Sequence, residues 1–147
     1  MTGDLVFRLI LGHLVGDYLL QNNWMALNKK KHQNVAIIHC LIYTFCILIF
    51  VLPEIWAAAK LMGILWMLVV IPSIYFSHYL IDSTNIVDKW LGFIGGRSYE
   101  STKQYLMNET PTEEQKRYMV SYTALVQTVA DNTLHLLFLY LIFVFLL

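Results

Sequence analysis

Seven ionisable side chains of metal-binding type stand inside apolar stretches of this sequence. His13 and Asp17, His78 and Asp82, and Asp131 and His135 are each four residues apart, and His39 lies in a further apolar stretch. On a helix, residues at that spacing lie one turn apart on the same face. Imidazole nitrogen with carboxylate oxygen is a ligand set for zinc, manganese or iron, and no cysteine spacing suggests a thiolate zinc site. Four histidines and three aspartates exceed what one tetrahedral ion needs. They suit two divalent transition-metal ions, zinc favoured, held about 3.5–4 Å apart by a bridging Asp and activating a water as nucleophile. In that chemistry the general base is drawn from Asp17, Asp82 and Asp131, whichever is not fully engaged as a ligand. A single buried histidine is more often hydrogen-bonding glue between helices. Seven such groups are harder to explain that way, because each costs roughly 2.5–3.5 kcal/mol inside a span on insertion scales.

Around the seven, Gln21, Tyr43 and Gln127 each lie one helical turn from a ligand candidate and could orient it. Lys89 and Arg97 could hold a phosphate, although a basic loop explains them as well. His32, among Lys29, Lys30 and Lys31, reads as solvated. Cys40 and Cys46 are six apart and point in different directions on a helix, so they are expected to be unpaired small hydrophobes.

These side chains need elements that bring them to one place. The sequence is 58% hydrophobic, which marks a membrane protein before any motif is considered. Ten basic residues balance ten acidic ones, so net charge suggests no nucleic-acid partner. Apolar runs predict an all-α integral membrane four-helix bundle, a single domain over 1–147 with spans at about 4–22, 35–52, 60–82 and 119–147. A loop over 83–118 places Ile86, Val87, Trp90, Leu91 and Ile94 at helical spacing, the pattern of an amphipathic helix lying in the membrane interface. Thr110-Pro111-Thr112-Glu113 reads as the start of one long final helix, with Thr110 as N-cap and Glu113 closing a capping box. Arg8 follows Asp4 by one turn, the position of an anchoring ion pair.

Lys29 to Lys31 and then Lys89, Arg97, Lys103, Lys116 and Arg117 fall in the two loops expected on one side, against Arg8 and Lys60 on the other. The positive-inside rule makes those loops cytoplasmic in a bacterial inner membrane, with both termini outside. The ligand candidates then sit about 18–26 Å of helix from the outer ends of their spans, all at a similar level in the cytoplasmic half. Spans one and three carry His then Asp in the same direction, which fits two helical hairpins related by a pseudo-two-fold along the membrane normal. A homodimer is compatible with so thin a wall around a polar centre.

The run His13-Leu14-Val15-Gly16-Asp17-Tyr18-Leu19-Leu20-Gln21, followed by Trp24-Met25-Ala26 and Asn28-Lys29, resembles an uncharacterised family of small bacterial and phage integral membrane proteins, a domain of unknown function. The similarity continues through His39, the His78 and Asp82 pair and Lys89, with Asp131 and His135 of matching type in the last span. More remotely the chain resembles the membrane-bound metal-dependent hydrolases. The expectation is an intramembrane metal-dependent hydrolase working at the cytoplasmic leaflet, with membrane lipids as partners and a lipid or other amphiphilic phospho- or ester compound as substrate. A metal-ion or proton transporter, a di-iron membrane oxidase and a non-enzymatic assembly factor are the alternatives.

Overall fold

In the computed structural model, which describes residues 3–146, the chain is all-α, with no strand among the described residues. The first helix, α1 (Gly3–Leu14), is continued by a π turn (Val15–Leu19) in which Leu20 N–H donates to Val15 O at 3.0 Å, one residue further along than in an α-helix. A short α2 (Asn23–Asn28) follows, capped by the Asn22 side chain, which accepts from Met25 N at 2.9 Å. Then come α3 (Gln33–Phe50), α4 (Leu52–Met62) with Pro53 in its first turn, and α5 (Met67–Ser83). Beyond them are α6 (Ile86–Gly95), α7 (Tyr99–Asn108) and α8 (Glu113–Leu146).

Three helical stretches, Gln33–Phe50, Ile64–Ser83 and Glu113–Leu146, are long and apolar enough to cross a membrane. The first expected span, α1 with its π turn, is shorter. Three boundaries differ from the sequence reading. The expected span over 60–82 is split: Lys60 lies in the last turn of α4, Gly63 turns at a φ of 86°, and a 3-10 turn (Ile64–Trp66) leads into α5. Only a glycine adopts that backbone without strain, so the hydrophobic run hid a break. The capping box of α8 is formed by Thr112 and Gln115 rather than Thr110 and Glu113, with Gln115 N–H on Thr112 Oγ1 at 3.3 Å and Thr112 N–H on Gln115 Oε1 at 2.9 Å. The loop also contains α7, capped by Ser98 Oγ, which the polar composition did not reveal.

The chain divides into two compact units, Met1–Ser83 with His135–Leu147, and Thr84–Leu134. In the first unit α1 and α5 both pack on α3. Its core contains Leu5 and Leu9, Ile47 and Val51, Val70 and Ile74, Leu139 and Phe143, together with Tyr43 and Ile55. Read along each helix, these residues form rows at spacing four: Leu5, Leu9, His13, Asp17; Val51, Ile47, Tyr43, His39; Val70, Ile74, His78, Asp82; and Phe143, Leu139, His135. Side chains at that spacing form the ridges by which helices pack, so each row is one packing ridge with an apolar end and an ionisable end. Opposite faces are exposed and apolar, as with Ile38, Leu41, Phe45 and Ile49 on α3. Trp66 Nε1 donates to the carbonyl of Leu146, tying the start of α5 to the end of α8.

In the second unit Val87 and Leu91 are buried while Trp90, Phe93 and Ile94 are exposed, the two-faced pattern expected of α6. Asp88 accepts from the Tyr99 N–H at 2.7 Å and from Gln127 Nε2 at 2.6 Å, and the hydroxyls of Thr102 and Thr123 meet at 2.6 Å.

Candidate metal centre

Close approach of α1 to α3 sets the site. A Cβ on residue 16 would stand 2.9 Å from Tyr43 Cδ2 and 3.2 Å from Tyr43 Cα, and one on residue 12 would stand 3.1 Å from Ile47 Cδ1. Gly12 and Gly16 therefore let the two backbones meet, and the same turns carry His13 and Asp17. Asp17 lies within the π turn, a feature concentrated at functional sites because the wider turn redirects a side chain.

At the ionisable ends of the rows, four atoms converge. Nε2 of His39 is 3.0 Å from Asp17 Oδ1, 2.9 Å from Asp82 Oδ2 and 3.0 Å from Nε2 of His78. Nε2 of His78 is in turn 3.2 Å from Asp82 Oδ2 and 3.5 Å from Asp17 Oδ1. All four residues are buried, and each offers an atom within 4.8 Å of the others'. These five separations lie near the roughly 3.3 Å between neighbouring ligand atoms on a tetrahedral zinc with bonds of about 2.0–2.1 Å. Two neutral imidazoles have at most one N–H each, too few to fill every one of these contacts with a hydrogen bond. The Nδ1 atoms of His39 and His78 are buried without a hydrogen-bond partner, so neither ring is oriented from behind. This buried group could hold a metal ion.

The second oxygens of the same carboxylates face two further histidines. Asp17 Oδ2 is 3.3 Å from His13 Nδ1, and Asp82 Oδ1 is 3.7 Å from His135 Nε2. The rings of His13 and His135 stack at 5.4 Å, and those of His78 and His135 lie 4.5 Å apart. Tyr43 completes this layer, its ring flat against His78 at 3.5 Å and its hydroxyl 3.2 Å from His13 Nδ1.

Six of the seven predicted ligands, His13, Asp17, His39, His78, Asp82 and His135, are thus brought together. Asp131 is half-buried in the second unit, one turn before His135 on α8. Among the orienting candidates, Tyr43 touches His13 and His78. Gln21 Nε2 donates to the backbone carbonyl of Asp17 at 3.2 Å, securing the π turn rather than the carboxylate. The Gln127 amide is engaged by Asp88. Lys89 and Arg97 are exposed on the second unit. Cys40 and Cys46 are free and buried, and Arg8 donates to Asp4 at 2.8 Å.

One participant was missed. Lys29 extends from the end of α2 to place Nζ 2.7 Å from Asp82 Oδ2, with its side chain only 14% exposed. Sequence reading absorbed it into a run of three lysines, although Lys30 and Lys31 are exposed.

No curated protein and no solved structure matches the chain, so the remoter likeness to membrane-bound hydrolases finds no counterpart there. A family model described as protein of unknown function (DUF3307) matches residues 5–147, and the chain belongs to that family.

Proposed function

We propose that this protein is a four-span integral membrane protein of the bacterial inner membrane that binds two divalent metal ions, zinc by preference. In this reading it hydrolyses a phospho- or ester bond of a lipid or other amphiphile at the cytoplasmic leaflet. The observation that carries it is the buried cluster of Asp17, His39, His78 and Asp82, which has more close contacts than two neutral imidazoles can fill with hydrogen bonds. Asp17 and Asp82 would be shared between the two ions, since one oxygen of each belongs to the set with His39 and His78 and the other faces His13 or His135. That second set is looser, which suits an ion that keeps a position for water. Divalent ions held by these residues would supply a nucleophilic water near neutral pH and polarise the scissile bond. Hydrolysis then balances simply: the water oxygen joins phosphorus or the carbonyl carbon, and its proton goes to the leaving oxygen.

Transport has less support. Beyond the ionisable ends the rows continue with Leu5, Leu9, Ile47, Val51, Val70, Ile74, Leu139 and Phe143, all buried and apolar, and conduction needs polar groups along the whole path.

The test is metal content by mass spectrometry of protein purified without chelators. About two transition-metal ions per chain are expected, falling to none in Asp17→Ala/Asp82→Ala. Wild-type protein without stoichiometric metal would leave the cluster as a proton-sharing network and overturn the proposal.

A further inference from the structure

We infer that Lys29 is the anion-binding residue of this site and that the bond broken is a phosphoester rather than a carboxylic ester. The inference rests on the metal-site reading above and narrows it. Of three successive lysines only Lys29 leaves the surface, reaching Asp82 Oδ2 at 2.7 Å, the oxygen that also lies 2.9 Å from His39 Nε2 and 3.2 Å from His78 Nε2. Its backbone is fixed: Asn22 caps α2, Met25 is buried, Lys29 N–H donates to Met25 O at 2.9 Å and Asn28 Nδ2 to Trp24 O at 2.8 Å. A lysine serving only the positive-inside rule needs no such placement and would keep its ammonium in water.

Charge decides what the ammonium is for. Two divalent ions outweigh the two bridging carboxylates by two positive charges, a bound hydroxide removes one, and Lys29 restores it. A neutral ester carbonyl would leave this excess uncompensated in an apolar surround, whereas a phosphoester brings the balancing negative charge. Lys29 Nζ reaches Asp82, whose other oxygen faces His135 of the looser set, so the ammonium stands beside the carboxylate that the two sets share and is placed to hydrogen-bond an anion held at the centre. Among the exposed side chains around its mount, Leu19, Leu20, Trp24 and Leu27 are apolar, a surface against which an amphiphile's non-polar part would lie.

The experiment uses the full chain in phosphatidylcholine nanodiscs, loaded with zinc, and measures binding of inorganic phosphate by calorimetry beside metal content. Lys29→Met is expected to weaken phosphate binding tenfold or more at unchanged metal content. Lys29→Arg should recover most of the loss, and Lys31→Met should bind as wild type does. Adding phosphatidic acid to the nanodisc separates the sources. Competition with phosphate assigns a membrane-borne headgroup and its absence a soluble phosphoester; either agrees with the inference. Lys29→Met that binds phosphate as wild type does would overturn the role of Lys29 while leaving the metal site standing. Loss of metal in Lys29→Met would also overturn it, because Lys29 would then be holding Asp82 in place. Wild-type protein that takes up no metal would remove the underlying reading and this inference with it.

Discussion

Replacing Gly16 by alanine should weaken metal binding without touching a ligand. The added Cβ would sit 2.9 Å from Tyr43 Cδ2 and 3.2 Å from Tyr43 Cα, so α1 and α3 must part by about half an ångström to restore ordinary contact. Tyr43 stacks on His78 at 3.5 Å and meets His13 at 3.2 Å, so the displacement reaches both histidine sets. Coordination tolerates errors of only about 0.2 Å, and disturbing the groups around a metal's ligands typically costs about 10- to 100-fold in affinity. Overpacking should also cost about 1–3 kcal/mol of stability. Gly63→Ala is the control: its φ of 86° makes alanine strained, about 1–2 kcal/mol, but no heavy atom lies within 4 Å of its Cβ position. Unfolding can be followed with a thiol-reactive dye, since Cys40 and Cys46 are buried and free, and zinc affinity by competition with a chelator. Both variants should melt several degrees early, and only Gly16→Ala should lose affinity. Equal loss of affinity in the two, or wild-type affinity in Gly16→Ala, would refute the coupling between helix approach and site.

His13→Ala should keep one tightly held ion per chain and His78→Ala should lose that ion, read as metal remaining after dialysis against a weak chelator; the opposite order would reverse the assignment of the two sets. Removing metal with a strong chelator should lower the melting temperature, because a ligand present at a hundred times its Kd adds about 2.7 kcal/mol; an unchanged melt would mean no specific site. Asp88→Ala frees the Tyr99 N–H and Gln127 Nε2 together, at a cost of about 1–3 kcal/mol. It should speed hydrogen exchange at Tyr99 while metal content stays at the wild-type level.

Much of the site was legible because its ligands are polar groups in apolar helices, where they stand out against the composition. His13, Asp17, His39, His78, Asp82 and His135 were found by type and spacing. Their convergence follows from the rows of spacing four, which were present in the sequence but become meaningful only when the apolar members are seen packed together. Other features left no such trace. A π turn differs from an α turn by one hydrogen bond, and nothing in Val15–Leu19 announces it. Gly12 and Gly16 form a small-residue face that a reading aimed at dimerisation overlooked, because they serve packing within the chain. Gly63 is a lone glycine in an apolar run, where its positive φ is invisible. Lys29 was hidden by Lys30 and Lys31, since only tertiary structure distinguishes a lysine that turns inward from two that do not.

The rows also give so polar a cluster an apolar foundation. Each row passes from buried hydrocarbon to one or two ionisable groups, so the packing of Leu9, Ile47, Ile74 and Leu139 also fixes the backbone beneath His13, Tyr43, His78 and His135. Lys29 offsets part of the carboxylate charge, and Tyr43 separates His13 from His78 with a neutral ring. A structural zinc finger depends on its ion to assemble the ligands. Here the apolar halves of the same helices already hold the ionisable groups together, so removing an ion is expected to lower the melting temperature without unfolding the chain.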